Sequence, residues 1–64
     1  MTTIDKKKFS RAVKNYRIDN DLTQSELAQK LMTTTTTIAR WELGMVVPRS
    51  IRTIKDLKDW GINW

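Results

Sequence analysis

The chain has 64 residues, neither cysteine nor histidine, and 12 Lys plus Arg against 7 Asp plus Glu, for a net charge of +5. That length allows one domain, residues 1–64, which buries roughly 60% of its unfolded surface and depends on close packing, since it has no disulfides. Without Cys or His the usual zinc sites and nucleophile–histidine catalysis are excluded, and the basic balance favours an anionic partner, either nucleic acid or a membrane surface.

No run of about 18 apolar residues is present, so no transmembrane helix is expected. The first residues are polar and charged, which argues against a signal peptide. The expectation is a soluble, cytoplasmic, non-enzymatic protein with no cofactor and no membrane partner.

Met1 to Thr3 reads as a mobile start. Residues 5–18 read as the first helix, capped by Thr3 or Asp5. Phe9, Val13 and Tyr16 or Arg17 fall at helical spacing, with Ala12 on the same side. Lys6, Lys7, Lys8, Arg11 and Lys14 take the other faces, and Lys6–Lys8 read as a solvated helix start, with a phosphate-contacting arm as the functional alternative. Asn20-Asp21 is a break, with Asn suited to the left-handed conformation that ends a helix. Thr23-Gln24-Ser25-Glu26 is a capping box that opens a second helix over about 24–31. Leu27, Ala28 and Leu31 supply its buried side.

Met32-Thr33 is the turn and Thr34 the expected cap of a third helix, about 35–43. Ile38 and Trp41, three apart, face inward. Gly44 ends this helix, because glycine accepts positive φ at least cost. Met45-Val46-Val47-Pro48 connects to a fourth helix, about 51–60, capped by Ser50 and ended by Gly61. Ile51, Ile54, Leu57 and Trp60 form its apolar stripe, with Arg52–Asp56 and Lys55–Asp59 as i,i+4 pairs worth about 0.2–0.5 kcal/mol each. No segment alternates as a strand would. The fold class is therefore all-α, with four short helices. The expected core is Phe9, Val13, Leu22, Leu27, Ala28, Leu31, Ile38, Trp41, Ile51, Ile54 and Leu57.

A helix, a short turn and a second helix over 24–43 form the helix-turn-helix pattern, in which the second helix fits the major groove. Leu22-Thr23-Gln24, Glu26-Leu27-Ala28, Leu31, Ile38, Trp41-Glu42, Gly44 and Pro48 carry a more specific likeness. The chain resembles the lambda-repressor-like helix-turn-helix proteins, including phage Cro proteins, phage repressors and their bacterial relatives, over about residues 9 to 62. The resemblance implies a sequence-specific regulator of transcription bound to double-stranded operator DNA, of the small Cro-like phage type. It implies base contacts from Thr35, Thr36 and Arg40, and backbone contacts from Gln24, Thr34 and Thr37, with Arg49 and Arg52 at the backbone or minor groove. It also implies a structural ion pair between Arg17 and Glu42.

Three departures from the family pattern carry expectations of their own. Met32 replaces a glycine usual in the turn, which calls for a strained positive φ or a different turn. Asn20-Asp21 stands where the first break commonly has glycine. Many relatives have a fifth helix beyond the position of Trp64 that helps form the dimer, so the pairing of two copies on DNA is open. Val46, Val47, Ile62 and Trp64 either pair subunits or cover the core, the latter being favoured for Ile62 and Trp64. The competing reading is a protein-interaction module on the same fold, an antirepressor or antitoxin that mainly binds another regulator such as a phage repressor.

Overall fold

Every helix starts on a side chain that caps it. The computed structural model describes residues 4–64, and the expected mobile start and the Thr3 cap lie outside them. Four helices follow in order: α1 (Lys6–Asp19), α2 (Gln24–Lys30), α3 (Thr35–Glu42) and α4 (Ile51–Asp59). There is no strand among the described residues. Asp5 caps α1 by accepting from the Lys7 and Lys8 amides at 2.9 and 3.1 Å. The capping box of α2 is complete: Thr23 Oγ1 accepts from the Glu26 amide at 3.0 Å, and Glu26 Oε1 accepts from the Thr23 amide at 2.9 Å. Thr34 caps α3 through the Thr37 amide at 3.2 Å, and Ser50 caps α4 through the Thr53 amide at 3.4 Å. Such a cap contributes about 1 kcal/mol, which matters for helices this short.

All four helices also end alike, with two crossed amide bonds around one left-handed residue. At the end of α3 the Gly44 amide reaches the Trp41 carbonyl at 3.1 Å and the Met45 amide reaches Arg40 at 3.0 Å. The same pair of bonds closes α1 at Asp21 and Leu22, α2 at Met32 and Thr33, and α4 at Gly61 and Ile62. Gly44 and Gly61 take positive φ, while Asp21 and Met32 both sit at φ 57°. Met32 therefore adopts the conformation of the glycine it replaces. At the first break the left-handed residue is Asp21 rather than Asn20. Asn20 is the cap at φ −100° and donates its side-chain amide to the Tyr16 carbonyl at 2.8 Å.

The buried core is Phe9, Val13, Leu27, Ala28, Ile38, Trp41, Leu57 and Ile62. Leu22 and Leu31, expected inside, are half-buried on its rim, and Ile54 is half-buried as well. Ile51 departs furthest from expectation, at 83% exposed. A strict i+3 spacing slips about 60° per step around a 3.6-residue helix, so Ile51 lies about 120° from Leu57, which faces the core. Ile62 takes the vacant place at 2% exposure, and Trp64 packs beside it, as favoured for both. Val47 reaches the core rim while Val46 is exposed.

Aromatic rings join the outer helices. Phe9 meets Trp41 and Trp64 edge to face, with centroids 5.5 and 5.0 Å apart. Tyr16 stacks on Trp60 at 6.0 Å, and Lys30 Nζ lies 4.5 Å from the Trp60 ring centre while donating to the Tyr16 hydroxyl at 2.9 Å. Neither Arg52–Asp56 nor Lys55–Asp59 forms an ion pair; among the described residues the only salt bridge joins Arg17 and Glu42. Exposed pairs gain too little to hold two long side chains in one geometry. No described helix is long and apolar enough to cross a membrane.

Candidate nucleic-acid interface

Helix α3 is fixed by two neighbouring helices, which decides the face it leaves open. Ile38 and Trp41 are buried, and α3 packs against both α1 and α2. Glu42, in its last turn, is where the three helices meet. Arg17 Nε donates to Glu42 Oε2 at 2.7 Å and Arg17 Nη2 to Oε1 at 3.1 Å, a two-pronged pair between α1 and α3. Arg17 Nη1 also donates to the Leu22 carbonyl at 3.0 Å. Gln24 Nε2, at the start of α2, donates to Glu42 Oε1 at 3.3 Å. Ser10 Oγ donates to the Glu42 carbonyl at 2.6 Å, one of the orphan acceptors of the helix end. The side chains of Arg17 and Glu42 are 18% and 6% exposed. Hydrogen bonding to Glu42 raises the Arg17 pKa above its ordinary value, so the guanidinium stays charged at every accessible pH.

With that side anchored, the opposite side of α3 is open. Thr35, Thr36 and Arg40 are exposed. Thr36 and Arg40 are four apart and share one face. The threonine run divides by position. Thr33 lies in the turn, with its amide on Ala28, and Thr34 is the cap. The Thr37 hydroxyl lies 2.9 Å from that of Thr34, so these two hydroxyls pair with each other. Thr35 and Thr36 have no such partner and project their hydroxyl and methyl groups outward from the first turn. Arg49 and Arg52 are exposed at the start of α4.

The sequence reading therefore singled out one set that meets in space, Arg17, Glu42 and Gln24, and another that is exposed, Thr35, Thr36 and Arg40 on α3 and Arg49 and Arg52 at the start of α4. Gln24 is half-buried and its side-chain amide donates one hydrogen bond to Glu42, a link that sequence reasoning missed. It also missed Ser10. Neither had a local signal, because the partners are 18 and 32 residues apart in the chain. A shallow cleft of about 380 Å³ runs along α1 to Asn63 and Trp64, lined by Lys8, Arg11 and Asn15, with no acid–base pair in it. Among the described residues no group of three or more acidic side chains is placed to hold a metal ion.

An outward helix face bearing Thr35, Thr36 and Arg40, backed by a part-buried ion pair that ties it to its neighbours, can present side chains rigidly to a groove. One family model, described as helix-turn-helix, matches residues 13–57 of the chain. No curated protein and no solved structure matches it.

Proposed function

Because the chain belongs to the lambda-repressor-like helix-turn-helix family, a family of DNA-binding domains, we propose that it regulates transcription by binding a specific double-stranded operator through α3 in the major groove. The observation that supports this best is the exposed Thr35, Thr36 and Arg40 face on a helix otherwise held against α1 and α2. Arg40 is the main reader: a guanidinium bonds guanine O6 and N7 together, a contact worth about 1–3 kcal/mol of discrimination. Thr35 and Thr36 each offer one hydroxyl and one methyl, suited to the thymine methyl or a single acceptor. Gln24, Thr34, Thr37, Arg49 and Arg52 contact the backbone. For Gln24 the main-chain amide at the start of α2 and the second N–H of its side-chain amide are the donors, since one N–H goes to Glu42. Arg17 and Glu42 hold the frame.

The regulator acts in the cytoplasm as a Cro-like phage repressor, as one domain over residues 1–64, by occupying its site without catalysis. Two copies on half-sites about one DNA turn apart would read a palindromic operator. The alternative, a module that mainly binds another regulator, draws support from apolar side chains left exposed where α3 ends.

Titration of random and selected duplexes across a salt series tests the choice. Operator binding predicts affinity that falls steeply with salt, together with a selected site preferred by several kcal/mol. An absence of preference at every salt concentration would transfer the assignment to the interaction reading.

A further inference from the structure

The cleft beside α1 is separate from the exposed face of α3, and its lining has the make-up of a small-molecule site. Lys8, Arg11, Ala12, Asn15, Asn63 and Trp64 line one cavity of about 380 Å³. Small-ligand pockets run from about 300 to 1,000 Å³, so this one has room for a small ring system. Lys8, Arg11, Ala12 and Asn15 follow one another at i, i+3, i+4 and i+7, which puts them on one face of α1. Ile62 is buried in the core beyond α4, and the residues that follow it, Asn63 and Trp64, close the cleft against that face.

The lining divides by chemistry. Ala12 and Trp64 are half-buried and supply its apolar part. The Trp64 ring is held edge to face against Phe9, with centroids 5.0 Å apart, so the indole is fixed in place. Lys8, Arg11, Asn15 and Asn63 are exposed, and among the described residues none of their side chains makes a hydrogen bond or an ion pair. No acidic side chain lines the cleft. Lys58 Nζ, 5.3 Å from the Trp64 ring centre, adds a further cation at the aromatic wall. Side chains three apart on a helix are close neighbours, so Lys8 and Arg11 can share one anionic head. A planar ring attached to that head gains from packing on the indole, and the two Asn amides offer further donors.

Position sets the cleft apart from α3. Ser10 and Arg17 mark the side of α1 that meets Glu42 of α3. At about 100° per residue, the cleft face is centred about 160° around α1 from that side. A ligand there does not touch the junction that holds α3.

We infer that this cleft binds a small aromatic anion, a carboxylate or phosphate ester carried on a planar ring. Lys8 and Arg11 hold the charged head, Asn15 and Asn63 donate to it, and Trp64 packs on the ring. The site does not rest on the DNA-binding reading, and duplex DNA does not compete for it.

The test uses the full chain, isotopically labelled, in NMR titrations. The probes are 2-naphthoate and 2-naphthyl phosphate. The controls are 2-naphthylmethylammonium, which keeps the ring and reverses the charge, and acetate and inorganic phosphate, which keep the charge without the ring. The naphthyl anions should shift the Asn15 and Asn63 side-chain amides, the Arg11 Nε–H and the Trp64 indole N–H, with a dissociation constant of about 1 mM or tighter, as expected of so small a ligand. The tighter of the two identifies the head group. The double variant Lys8→Gln, Arg11→Gln should lose affinity about tenfold or more, because both charge-assisted contacts are removed. Its melting midpoint should not change, since both side chains are exposed and unpaired and Gln suits a helix nearly as well. The double variant Lys7→Gln, Lys14→Gln removes the same charge from α1 outside the cleft and should stay within about twofold of the parent. Equal losses in the two variants would reduce the effect to net charge and overturn the inference. So would equal binding of the naphthyl cation, the same shifts from acetate or inorganic phosphate alone, shifts centred elsewhere, or none at several times the expected constant. Displacement of the naphthyl anion by a short duplex would also overturn it, by assigning Lys8 and Arg11 to DNA phosphates.

Discussion

Met32 is the sharpest place to test the physical account of the turn, because its backbone and its side chain can be separated there. It holds φ 57° and its side chain is 94% exposed. Left-handed backbone costs a residue with a Cβ about 1–2 kcal/mol. Replacing Met32 by glycine removes that cost but restores about 0.4–1 kcal/mol of freedom to the unfolded chain. Almost no burial is lost, and the crossed bonds from Met32 to Gln29 at 3.1 Å and from Thr33 to Ala28 at 2.9 Å involve only main chain, so they remain. Met32→Gly should therefore stabilise the protein by about 0.5–1 kcal/mol, raising the melting midpoint by roughly 4–7 °C for a chain of this size. Urea denaturation followed by circular dichroism measures this, and the slope should not change. Met32→Ala keeps the Cβ and should stay within about 0.5 kcal/mol of the parent. Asp21→Gly should gain less, since Asp tolerates this conformation better than Met. If Met32→Gly is neutral or destabilising, or if Met32→Ala gains as much, backbone strain is not what the turn carries.

Four further outcomes follow from the geometry. Glu42→Ala should cost about 3 kcal/mol, the low end for a broken buried pair because Arg17 retains some access to water; calorimetry would read it, and a loss under about 1 kcal/mol would mean the pair is no more than a surface contact. Arg40→Ala should relax preference at one base pair by about 1–3 kcal/mol with the melting midpoint unchanged, whereas a uniform loss across all duplexes would make Arg40 a phosphate contact. Ile51→Ala should change stability by less than about 0.5 kcal/mol while Leu57→Ala costs about 2–5 kcal/mol, and similar values for both would contradict the orientation of α4. Asp5 titrates below its ordinary value of 3.8, chiefly because the Lys8 amide bonds its carboxylate. Its stabilisation of α1 is thus complete above that pH and fades as the pH falls through the lower folded value. The amide shifts of Lys7 and Lys8 between pH 5 and 2 should report this, and Asp5→Asn should abolish the step.

Much of the fold follows from interactions four residues apart or fewer, and these are legible in sequence. Asp5, Thr23 with Glu26, Thr34 and Ser50 each cap the helix that follows them, and Gly44 and Gly61 end theirs, because a cap is complete within one turn of chain. The all-α class and the burial of Phe9, Val13, Leu27, Ala28, Ile38, Trp41 and Leu57 follow from the same local periodicity. The Arg17–Glu42 pair spans 25 residues and was legible only through resemblance to the family.

What the sequence left open depends on how the helices are rotated against one another. Periodicity says that α4 has an apolar stripe, but only its docking on the common core decides that Leu57 is buried, that Ile51 faces solvent and that Ile62 fills the core instead. The links of Ser10 and Gln24 to Glu42 exist because three chain segments converge on one carboxylate, which no local spacing encodes. The exposure of Val46, which in sequence reads equally as a subunit contact or as core cover, has the same origin, and Leu43 and Met45 are exposed with it. Local chemistry determined which helices form; the tertiary packing decided which of their faces are left for a partner.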